Sequence, residues 1–159
     1  MKLVIGANGY LGSHVTRQLV DAGHDVRIML RENASTVGID DLATERFTGD
    51  IWDDETLRAA MTGCDDVYYC VVDTRGWLRD PSPLFRTNVE GTRNVLDVAV
   101  EPATAANLRR FVFTSSYVTV GRRRGHGRHV GGESHGPRGE AGGPLRRLRG
   151  GGRAPGDHG

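Results

Sequence analysis

Cysteine is scarce in this 159-residue chain, and a long apolar run is missing altogether. The two cysteines, Cys64 and Cys70, have neither CxxC spacing nor a histidine near them in sequence. A zinc site would lack its ligands, so reduced thiols are expected and no metal site is. Met1 to Gly6 is apolar for only a few residues before it meets glycine. A membrane span needs about 20 apolar residues, and a signal peptide needs a longer apolar core than this. The chain is therefore expected to be soluble and cytoplasmic, without a membrane partner. Lysine is scarcer still: Lys2 is the only one.

The net charge of +1 conceals a division at Gly121. Residues 1–120 hold 12 Lys+Arg against 17 Asp+Glu, a net of −5, whereas residues 121–159 hold 9 arginines against 3 acids, a net of +6. The second stretch also holds 14 of the 23 glycines and no Phe, Trp or Tyr. Its few apolar side chains cannot bury enough surface to offset the entropy of ordering it. The organisation expected is one domain over 1–120, followed by a low-complexity Arg/Gly-rich tail over 121–159 that is disordered or read out of frame.

Within 1–120, strand and helix signals alternate. "KLVIGA" is a short apolar run, and "YLGSHVTRQLVDAG" places Leu11, Val15, Leu19 and Val20 near helical spacing before Gly23 stops it. "DVRIML" predicts a second strand and "ATERFTGD" a third; "DDETLRAAMTG" predicts a helix that opens on acids. "DVYYCVV" is a fourth strand, "DTRGWLRDPSP" a loop, "LFRTNVEGTRNVLDVAV" one long helix and "RRFVFTSS" a fifth strand. Strands separated by helices imply a parallel sheet covered on both faces. The fold class expected is α/β: a Rossmann-like doubly wound sheet in the order 3-2-1-4-5.

The first turn carries the strongest signal. Gly6, Ala7, Asn8, Gly9, Tyr10, Leu11 and Gly12 lie between a predicted strand and a predicted helix. Glycines there permit a tight turn and let backbone approach a pyrophosphate, while the helix start offers free N–H groups to the anion. The spacing is GxxGxxG, against the simpler GxGxxG of many dinucleotide sites.

Four ordered stretches, "IGANGYLGSHV", "GDI" at Gly49–Ile51, "TNVEGTRNVLDVA" and "FVFTSS", resemble the extended short-chain dehydrogenase/reductases of the NAD-dependent epimerase/dehydratase superfamily. The subgroup most similar is dihydroflavonol-reductase-like. The likeness runs from residue 1 to about 121 and implies a chain whose substrate-binding C-terminal part is missing. It implies a dinucleotide held by Gly6, Asn8, Gly9, Tyr10, Leu11 and Gly12, with Asp50 and Ile51 against the adenine. NAD enzymes generally place an acid at the end of the second strand, but Leu30 and then Arg31 stand there. Arg31 suits a 2′-phosphate. NADP is the expected cofactor, and NAD stays possible because Glu32 lies one residue on.

The resemblance assigns two catalytic positions. Ser116 matches the serine that polarises a carbonyl, and Asn88 matches the asparagine that supports the catalytic lysine through water. The tyrosine and lysine of the family's YxxxK pair are absent: Tyr117 has Gly121 four residues later. Three classes of function stay open. One is an NADP-dependent oxidoreductase by descent, acting on a ketone or hydroxyl of a small-molecule substrate and inactive as it stands. Another is a dinucleotide-binding module without catalysis. The third is a nucleic-acid-interacting protein, which the tail's lack of aromatics to stack on bases disfavours. A fifth strand left as an apolar edge leads to an expectation of self-association.

Overall fold

The computed structural model describes residues 1–116. The expected tail over 121–159, and Tyr117 beside Ser116, lie outside the described residues. Five strands form one parallel sheet: β1 (Lys2–Ile5), β2 (Val26–Leu30), β3 (Glu45–Thr48), β4 (Asp66–Tyr69) and β5 (Arg110–Phe113). The order is β3-β2-β1-β4-β5, as the strand and helix signals predict. Chain direction across the sheet reverses between β1 and β4. That is the place where ligands of open parallel sheets collect, outside the C-terminal strand ends.

Successive residues of a strand face opposite sides, and β1 uses this to serve two cores. Leu3 and Ile5 join Met29, Leu57, Met61, Val67, Tyr69, Val95 and Val98 on one face. Val4 joins Val26, Ile28, Leu30 and Ile39 on the other, with Val15, Leu19 and Val20 packed against them. The first face is covered by α2 (Asp54–Met61) and α4 (Thr92–Ala99), the second by α1 (Tyr10–Asp21). Val15, Leu19 and Val20 thus form one partly buried stripe against the sheet, while Leu11, expected in the same stripe, is exposed.

The single helix expected over residues 84–100 is not regular. A short α3 (Ser82–Phe85) runs into a wider, π-type turn at Arg86–Gly91 before α4 begins, and α5 (Pro102–Ala105) follows. Packing accounts for the departure. A Cβ on Gly91 would lie 2.7 Å from Cδ1 of Ile51, so the backbone passes hard against the loop after β3. In the π turn lies Asn88, whose amide reaches the loop after β4. Such turns recur at functional sites.

Candidate functional site: an open helix start over a cleft

Two helices of this chain begin in different ways. At α2 the carboxylate of Asp53 accepts hydrogen bonds from the N–H groups of Glu55 (3.0 Å) and Thr56 (3.2 Å), which is ordinary side-chain capping. At α1 the residue before the helix is Gly9, and no side chain caps it. The first-turn N–H groups of α1 therefore keep their partial positive charge for something else.

Backbone crowding explains the glycines around that helix start. Gly6 has φ +84°, and a Cβ there would sit 3.0 Å from the carbonyl carbon of Cys70 and from Cγ2 of Val71. A Cβ on Gly12 would overlap the carbonyl oxygen of Gly6. Gly9 N–H donates to that same oxygen at 3.1 Å. β1, the turn and α1 can meet this closely only without side chains at those positions, and the backbone that results is a cradle a Cβ would fill.

Beside the turn lies a cleft of about 580 Å³ at the C-terminal ends of β1 and β4. It brings together Gly6, Asn8, Gly9, Arg31, Asp50 and Ile51, from three separate stretches of the sequence. Arg31 and Asp50 also wall an adjoining hollow with Glu32, Asn33 and Ala34. Among the described residues neither Arg31 nor Glu32 has an ion-pair partner. Tyr10 and Leu11 stand differently. The Tyr10 side chain is 87% exposed and packs edge-on against His14, and neither residue lines the cleft. What they can offer a ligand there is backbone N–H. Gly12 is buried where helix and strand touch.

The loop after β4 supplies the wall that sequence reading does not reach. Asp73, Thr74 and Arg75 line the cleft, as does Trp52 beside Asp50 and Ile51. Asp73 is held three ways by Arg75: Nε at 2.9 Å, Nη2 at 2.6 Å and the backbone N–H at 3.0 Å. The Arg75 guanidinium and N–H together hold the Asp73 carboxyl at a pKa of about 2. Asn88 in turn binds the Asp73 backbone, accepting from its N–H at 2.7 Å and donating to its carbonyl at 2.8 Å. The available sequence signal was the acid–base pair spaced by one residue in "DTRG", but an unperiodic stretch of loop gives no reason to weight it. Trp77 is 76% exposed and stands outside the wall. Cys70 is in the wall, and burial pushes its thiol up.

Of the two residues expected to do chemistry, Asn88 reaches the cleft wall through its bonds to Asp73, whereas Ser116 is not in the wall that the described residues form. Ser116 lies three residues past β5 and is exposed. Lys2 is at the opposite end of the sheet, level with Val26 and Asp66 where the strands begin. Its ammonium donates to Asp65 at 2.9 Å and to Asp66 at 2.6 Å. Among the described residues no group of three His, Cys, Asp or Glu is placed to hold a metal ion, and no helix is long and apolar enough to cross a membrane.

Residues 2–137 match the NAD dependent epimerase/dehydratase family. Sterol demethylase protein B of Methylococcus capsulatus is 36% identical over 119 residues, which are 75% of this chain and 35% of that protein. Dihydroflavonol 4-reductase of Zea mays is 33% identical over 127 residues, 74% of this chain and 35% of that one. A crystal structure of a short-chain dehydrogenase/reductase superfamily protein from Agrobacterium tumefaciens with bound NAD is 34% identical, covers 74% of this chain and 33% of its own, and has a TM-score of 0.57. The chain spans about a third of the length of the curated relatives it matches.

Proposed function

Because this chain belongs to the NAD dependent epimerase/dehydratase family, we propose that it binds NADP in preference to NAD and, as it stands, does not turn a substrate over. The observation that carries the binding reading is the uncapped start of α1 above the cleft, set against the start of α2 that Asp53 caps. An anion is the natural partner of an uncapped helix start. The Gly6–Gly9 turn and the first-turn N–H groups of α1 would hold the pyrophosphate. Arg31 would pair with the 2′-phosphate, and Asp50 and Ile51 would flank the adenosine. A bound nicotinamide would supply the hydride chemistry.

The lineage supports a reductase of the dihydroflavonol type, acting on a ketone or hydroxyl of a small apolar molecule. Ser116 would donate a hydrogen bond to such a carbonyl, and Asn88 holds the Asp73 loop in the cleft wall. Hydride transfer also leaves an alkoxide to be protonated, and a positioned general acid typically contributes ~10² to 10⁴-fold. The one lysine in the sequence is engaged by Asp65 and Asp66 at the far end of the sheet. That single fact favours the second reading, a dinucleotide-binding module without catalysis.

Titrating the chain with NADPH and NADH, followed by cofactor fluorescence, tests the binding reading. NADPH is expected to bind more tightly, and Arg31→Ala to narrow the difference, since charge-assisted pairs to phosphate are strong. Equal affinities before mutation would remove Arg31 from the site. NADPH consumption with a panel of ketones and flavonoids tests the catalytic part. Turnover that Ser116→Ala abolishes would overturn it.

A further inference from the structure

Trp52 directly follows Asp50 and Ile51, lines the cleft and is 40% exposed. Two contacts fix its ring. The guanidinium of Arg86 lies over it, 4.9 Å from the ring centroid. Gly91 leaves a notch for its outer edge, since a Cβ there would come within 3.3 Å of Cη2 and 3.4 Å of Cζ2. Trp52 is in the cleft wall and Arg86 is not, so the cation occupies one face of the ring without itself lining the cleft. A flat surface already held in one orientation loses little conformational freedom when a second ring stacks on it.

We propose that Trp52 is the stacking surface for the purine base of the dinucleotide, and that Arg86 is the positioning residue that holds the indole for it. The assignment rests on the dinucleotide-binding reading above and adds to it a specific residue and a specific half of the ligand. Sequence position alone offers no such role, because the Arg86 and Gly91 contacts come from a helix more than 30 residues further on.

The test uses the full chain with Trp77→Phe, so that Trp52 is the one tryptophan left of the two. The probe is 2′,5′-ADP, which carries adenine and a 2′-phosphate but no nicotinamide. Binding is measured by calorimetry while indole emission is followed on the same samples. Saturable quenching is expected, with a midpoint matching the calorimetric Kd. Adding Trp52→Leu should weaken 2′,5′-ADP about tenfold, and Trp52→Phe should recover most of the loss, as base-on-aromatic stacking does elsewhere. Heat of binding with no change in Trp52 emission, or an unchanged Kd in the leucine variant, overturns the assignment and leaves the dinucleotide reading standing. No heat with either 2′,5′-ADP or NADPH overturns both. Should the leucine variant fail to fold, the emission titration of the Trp77→Phe chain decides by itself.

Discussion

Asn88 grips the backbone of Asp73 at both of its polar groups, accepting from its N–H at 2.7 Å and donating to its carbonyl at 2.8 Å. The family motif suggested a role for this asparagine through a lysine. The geometry gives it a prior task, which is to pin the loop that carries Asp73, Thr74 and Arg75 into the cleft wall.

Replacing Asn88 with leucine removes both bonds and leaves a partly buried N–H and C=O without these partners. A net loss of about 1–2 kcal/mol is expected, read as a lower urea midpoint with little change in slope. Dinucleotide affinity should fall with it. Asn88→Asp should also destabilise, because it keeps the acceptor but sets a carboxylate against the Asp73 carbonyl. A wild-type midpoint in both variants would show that the loop is held by something else.

Gly12→Ala separates packing from chain flexibility. The new methyl would overlap the Gly6 carbonyl, so α1 must move away from β1, at a cost of about 1–3 kcal/mol. Nucleotide binding should be lost with it. Gly23→Ala is the control: Gly23 also has positive φ, +77°, yet nothing lies within 4 Å of its added Cβ. It should cost about 1 kcal/mol through backbone strain and leave nucleotide affinity as it was.

Acid should undo the chain in a defined window. The Lys2 ammonium holds Asp65 well below the usual carboxylate range, and Arg75 holds Asp73 at about 2. A carboxylate whose folded pKa is depressed contributes stability above its unfolded value, about 3.9, and loses it as pH falls through the folded one. The urea midpoint should therefore be insensitive to these two groups down to about pH 4 and decline from there towards pH 2. Asp73→Asn should shallow that decline. Lys2 is shifted the other way, upward through its bond to Asp66 and then Asp65, so its contribution is complete below its unfolded value of about 10.4 and fades above it. Lys2→Met should lower stability at neutral pH, leaving Asp66 buried without its cation. It should leave NADPH affinity intact, because Lys2 stands at the far end of the sheet.

The sheet was legible in the residues because its signals are local. A short apolar run, a glycine turn and a helical stripe such as Val15, Leu19 and Val20 are each complete within a dozen positions. Parallel pairing then follows from alternation, since each crossover helix must cover a face. The glycine turn was legible for the same reason: Gly6, Gly9 and Gly12 meet one another within one strand-turn-helix unit. The irregular helix at Arg86–Gly91 was not, because nothing in "RTNVEG" marks a change of helix type, and the close approach of Ile51 to Gly91 comes from another part of the chain.

By itself, then, the sequence determined the α/β sheet, its strand order and the position of the glycine turn between β1 and α1. It also determined that no lysine follows a tyrosine at the catalytic spacing, a fact of composition that no folding can change. Tertiary structure alone decided what faces the cleft. It set Arg31 and Asp50 in the wall of one cleft, seated Trp52 against Arg86 and Gly91, and drew Asp73 in through Asn88. It also turned the Tyr10 side chain out to solvent and spent Lys2 on two aspartates at the wrong end. The physical reason is range. Strands and turns are chosen by neighbours a few residues apart, whereas a cleft is built from residues that are adjacent only after the crossovers have closed.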